Sequence, residues 1–90
     1  MPGEQRLIQL SRMFATPIKD DEAARTVIET RPGDFASAVF LEAADSDDVT
    51  SRATALDYLA TRLADFHGLI EPDVAAKVRE AFETRTRAWE

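Results

Sequence analysis

Asp34-Phe35-Ala36-Ser37-Ala38-Val39-Phe40-Leu41-Glu42-Ala43-Ala44 is the stretch on which the fold turns. Its apolar residues fall on nearly every side of a helical wheel, which is the pattern of a central, buried helix. Val39-Phe40-Leu41 on its own also fits a short strand, because periodicity does not separate the two over so few residues. Helix is the reading adopted for 34–44, with a strand over 38–42 left open.

Upstream, Pro32-Gly33 is a turn signal that closes a helical segment over about 20–30. That segment opens on Asp20, Asp21 and Glu22, acids suited to the positive end of a helix, and carries a short stripe of Ala24, Val27 and Ile28. A first segment, about 4–14, aligns Leu7, Leu10 and Phe14 with Ile8 beside them. Its end is marked by Pro17. The stripes of both segments are narrow.

Downstream, Asp45 to Asp48 is a polar break, and its carboxylates are expected to cap the next helix. Residues 48–67 then repeat apolar side chains at Ala53, Leu56, Leu59, Ala60, Leu63 and Phe66. Gly68 stands where a left-handed cap is wanted, and Pro72 restarts the chain at a first-turn position. The final helix aligns Val74, Val78, Ala81, Phe82 and Trp89. The sum is an all-α fold, one compact bundle of four or five short helices over residues 1–90. Phe35, Val39, Phe40, Leu56, Leu59, Leu63, Phe66, Val78 and Phe82 are its expected core.

With 44% apolar and 31% charged residues the chain is too apolar for intrinsic disorder. At 90 residues its stability margin is thin, so a partner can supply some of the missing burial. The net charge of −6 repels nucleic-acid phosphates and anionic membranes. There is no cysteine, which removes disulfides, thiolate metal sites and cysteine nucleophiles. Apolar runs fall far short of the ~20 residues that span a bilayer. Met1-Pro2-Gly3-Glu4 lacks the basic-then-apolar layout of a secretory signal, so a cytoplasmic location is expected.

Catalytic chemistry finds no purchase. His67 is the single histidine, and Asp65, two residues away, points to another side of the same helix. A calcium loop starting at Asp45 needs glycine at Thr50 and a bidentate glutamate at Leu56, and has neither. No phosphate-cradling glycine loop, nucleophile elbow or zinc-protease motif occurs. No enzyme activity, no cofactor and no metal are expected.

Val39-Phe40-Leu41, the Ala55-Leu56-x-x-Leu59-Ala60 helix, Gly68-Leu69-Ile70 and Ala81 to Arg85 are similar in pattern to the N-terminal part of fructose/mannitol-type phosphotransferase IIA domains. The similarity covers about half the chain and consists of features that any two-helix hairpin shows. The phosphorylated histidine of that family would fall beyond Glu90, so no activity is carried over from the resemblance.

Two surfaces remain. From Asp34 to Thr50 there are five acids and no base, a negative face suited to a basic protein partner. Tyr58 lies off its helix's main stripe, and Trp89 stands near the end of the chain, where a large ring either packs back on the bundle or anchors a partner. The expected function is a non-catalytic protein-binding module: an accessory subunit, an adaptor or a small acidic inhibitor. Glu42, Asp45, Asp47, Asp48, Tyr58 and Trp89 are its candidate contact residues. Two alternatives belong to other classes. A DNA-binding regulator would use Lys77, Arg79, Arg85 and Arg87, although Glu80, Glu83 and Glu90 dilute them. A self-assembling helical protein would pair with further copies of itself.

Overall fold

The computed structural model describes residues 2–89, and among them every regular element is helical. The helices are α1 (Pro2–Phe14), α2 (Asp21–Thr30), α3 (Pro32–Ala44), α4 (Arg52–Asp65) and α5 (Pro72–Thr86), followed by one 3₁₀ turn, Arg87–Trp89. Residues 38–42 are helical, which closes the strand alternative.

α3 is the axis of the bundle. Phe35, Ala36, Val39 and Ala43 are fully buried, and its longest seam runs along α5. α5 meets it with Val74, Val78, Phe82 and Thr86, one residue per turn. Edge-on aromatic packing fixes the crossing: the Phe40 and Phe82 rings lie 6.1 Å apart at 69°. At the other end of α3, Phe35 packs edge-on against Phe66 at 5.6 Å and tilted against Phe14 at 6.3 Å. One phenylalanine thus ties α1 and the end of α4 to the axis.

The helix ends differ from expectation where side-chain hydroxyls compete with carboxylates. The carboxylates of 45–48 do not cap α4, which begins four residues beyond Asp48. Ser51 is the N-cap: its hydroxyl accepts from the Thr54 N–H while the Thr54 hydroxyl accepts from the Ser51 N–H, a reciprocal capping box. Upstream, Pro32 is inside α3 rather than ahead of it, at the position where its missing N–H costs nothing. Asp20 caps α2 as expected, its Oδ1 accepting from the Ala23 N–H at 2.8 Å.

The core reaches further into the N-terminal half than the stripes implied. Leu10, Phe14, Ile18, Ala24 and Ile28 are buried beside the expected Phe35, Val39, Leu59, Phe66, Val78 and Phe82. Phe40, Leu56 and Leu63 pack against this core but stay partly exposed. Ala53 and Ala60, counted with the α4 stripe, face solvent, because Ala55 and Leu59 take the inward side.

Two turns hold the layers in place. After α1 the Thr16 N–H reaches Ser11 O and the Ala15 N–H reaches Arg12 O, a Schellman ending with Ala15 at φ 52°. Ser11 Oγ then accepts from the Ile18 N–H at 3.0 Å, which seats Ile18 in the core. Between α4 and α5, Gly68 takes φ 89°, as its position predicts. The exposed carbonyls of this turn accept from two arginines: Arg6 of α1 to His67 O, and Arg25 of α2 to Gly68 O at 2.9 and 3.2 Å.

Candidate protein-binding face

Phe14 at the end of α1 packs tilted against Phe35 in the first turn of α3, so the close of one helix lies beside the start of the other. Their solvent sides enclose a groove of about 580 Å³ walled by Ile8 and Arg12 from α1 and Leu41 and Glu42 from α3. Ile8 is 48% exposed and Leu41 is 67% exposed, and they are the exposed large apolar side chains among the described residues. Both flank this one groove. A second depression of about 510 Å³ lies across α1, between Ile8, Arg12 and the segment Ala15 to Lys19. Ile8 and Arg12 border both, so they form a ridge with a hollow on each side.

The candidates from sequence fall into three groups. Glu42 and Tyr58 come together. The Tyr58 hydroxyl donates to Glu42 Oε2 at 3.4 Å, and Arg62 bridges the pair, with Nε 3.3 Å from Glu42 Oε2 and Nη2 donating to the Tyr58 hydroxyl at 3.2 Å. Arg62 also donates to Asp65 at 2.9 Å and lies over the Tyr58 ring. Partial desolvation pulls its pKa down, but the Tyr58 hydrogen bond and the Glu42 charge outweigh it and hold the guanidinium above its ordinary value. Arg62 was missed in the sequence because a lone base on a helix reads as a solvated side chain. This cluster braces the α3 wall of the groove from behind.

Asp45, Asp47 and Asp48 form the second group. All are exposed, Asp45 closing α3 and the others in the connection to α4. In the chain they follow Glu42 by three to six residues. Trp89, the third, is half-buried, its ring 5.1 Å from Phe40 and tilted by 58°. It packs back on the bundle and is remote in the chain from the groove walls.

Among the described residues no three histidine, cysteine or acidic side chains converge as a metal site, and His67 presents an exposed side chain on a turn. Among the described residues no helix is long and apolar enough to cross a membrane. On α5, Arg85 spends Nη1 on the Ala81 carbonyl at 2.9 Å, and exposed Glu80 and Glu83 lie among Lys77, Arg79 and Arg87. Comparison with protein-family models, with curated proteins and with solved structures brings no match.

Proposed function

We propose that this chain is a non-catalytic protein-binding module that docks its partner on the α1–α3 groove. One observation carries the reading: the two large apolar side chains left most open to water stand on opposite walls of the same groove. Scattered exposed aliphatics are ordinary, but two that converge on one concave surface offer a partner a place to bury its own side chains. Burying what remains exposed of Ile8 and Leu41 contributes about 1–2 kcal/mol each, the scale of an interface anchor. The Glu42–Arg62–Tyr58 brace keeps the α3 wall ordered before binding, which lowers the ordering cost.

A photo-crosslinking amino acid at position 41 tests this in lysate of the cells that make the protein. The expected result is one discrete adduct that is absent when the label is moved to position 79, on the exposed side of α5, and that disappears when Ile8→Asp is added. Equal labelling from both positions, or adducts indifferent to Ile8→Asp, would overturn the proposal.

A further inference from the structure

Residues 19–30 are fastened at both ends and held lightly between them. At the N-terminal end Ile18 is buried and its N–H donates to Ser11 Oγ at 3.0 Å. The Ser11 hydroxyl in turn donates to Leu7 O, which fixes it to α1. At the C-terminal end a single residue, Arg31, closes α2 and opens α3, with φ −131° and ψ 53°. Pro32 disfavours helical backbone at the residue before it, so α2 and α3 do not merge into one helix and Arg31 stands as a hinge. Its side chain is pinned on two sides, with Nε 2.7 Å from Asp34 Oδ2 and the guanidinium 5.2 Å from the centre of the Phe14 ring.

Between these pins α2 is a ten-residue helix, too short to hold its shape alone. Thr26 and Thr30 turn their hydroxyls back onto carbonyls one turn earlier rather than to other elements. The helix touches α1 and α3 and buries only Ala24 and Ile28. Among the described residues one side chain of α2 bonds to a distant element: exposed Arg25, to Gly68 O at 2.9 and 3.2 Å. These attachments surround the stack of Phe14, Phe35 and Phe66. Arg31 lies over the first ring, Pro32 leads into the second, and Gly68 follows the third by two residues. We infer that α2 is a flap, which opens as one unit between Ile18 and Arg31 while the other helices stay packed, and uncovers the apolar surface beneath Ala24 and Ile28. Opening gives up the Arg25 bond and two buried side chains, whereas freeing α1 would also take Leu10 and Phe14 out of the core. The closed and open forms share one frame of α1, α3, α4 and α5. No residue of α2 lines the α1–α3 groove, so the flap does not depend on what that groove binds.

Native-state hydrogen exchange of the unaltered chain locates the ends of the flap. The Ala24 N–H, bonded to Asp20 O, and the Arg31 N–H, bonded to Val27 O, should exchange together with the interior of α2, by one opening. The Ile18 and Phe35 amides, bonded to Ser11 Oγ and Arg31 O at the two pins, should exchange at least about tenfold more slowly. Arg25→Ala removes one charged hydrogen bond at the surface. It should speed the α2 group roughly fivefold and leave Ile18 and Phe35 unchanged. Thiol labelling reads the uncovered surface, because the chain has no cysteine of its own. Ala24→Cys and Ala43→Cys each place a thiol at a fully buried alanine, the first on the flap and the second on α3. The first should react at least about 100-fold faster under native conditions. Four results would each overturn the flap: exchange graded inward from the ends of α2, Ile18 exchanging in step with Ala24, α2 indifferent to Arg25→Ala, or equal labelling of the two thiols.

Discussion

Ala15 carries the clearest local conflict in the chain. It occupies the left-handed residue of the Schellman ending at φ 52°, where a Cβ crowds the backbone by about 1–2 kcal/mol. Glycine there removes that strain but adds freedom to the unfolded chain, worth about 0.4–1 kcal/mol in the other direction. The strain is the larger of the two, so Ala15→Gly should stabilise by about 0.5–1 kcal/mol, read as a higher midpoint in urea at constant slope. Gly68 is the matching control. It has φ 89° and open space around its missing Cβ, so Gly68→Ala meets no neighbour, its backbone strain outweighs the freedom removed from the unfolded chain, and the net cost should be about 0.5–1 kcal/mol. If Ala15→Gly lowers the midpoint, the left-handed ending of α1 is not as described.

At the scale of elements, the start of α4 separates a charge explanation from a hydrogen-bond one. Ser51 and Thr54 satisfy each other's backbone N–H groups, whereas Asp47 and Asp48 lie in the preceding connection. Ser51→Ala should therefore cost about 1 kcal/mol, and Asp47→Ser with Asp48→Ser should stay within about 0.5 kcal/mol, both by chemical denaturation. A larger loss from the aspartates would return the cap to the carboxylates. The same junction shows what the sequence discloses and what it does not. Breaks at Pro17, Pro32-Gly33, Gly68 and Pro72 are legible, because proline and glycine act on their own backbone, and they separate α1 from α2, α2 from α3 and α4 from α5, while the α3–α4 break is read from the polar run Asp45 to Asp48. Which of several adjacent polar residues caps a helix depends on side-chain geometry over one ångström, and composition does not carry it. Glu42 stands out in the sequence as one acid of a base-free segment and Tyr58 as a ring off its helix's stripe; their contact through Arg62 does not. The groove was not, because α3 is apolar all round and only its neighbours decide that Leu41, rather than Phe40 or Val39, is left uncovered.

On the scale of the whole molecule, the bundle is not equally firm throughout. α3 and α5 share the longest seam, and α3 buries four residues completely. α2 has ten residues and buries two, Ala24 and Ile28. A helix of that length is marginal alone, so α2 depends on the Asp20 cap, on those two side chains and on the Arg25 bond to Gly68 O. α1 is anchored more deeply, through Leu10, Phe14 and the Ser11 link to Ile18. Native-state hydrogen exchange should then separate α3 from α2. Amides of α3 between Val39 and Ala43 should exchange only with global unfolding, on the order of 5–13 kcal/mol for a chain of this size, and those of α2 well below it. Arg25→Ala should lower α2 by a further ~1 kcal/mol while leaving α3 unchanged. Equal protection of α2 and α3 would mean a single cooperative unit and defeat this picture. The ranking bears on binding, because both walls of the groove come from the firmer helices. α2 can open while α1 stays docked on α3 through Phe14 and Phe35, so the proposed docking face stays formed.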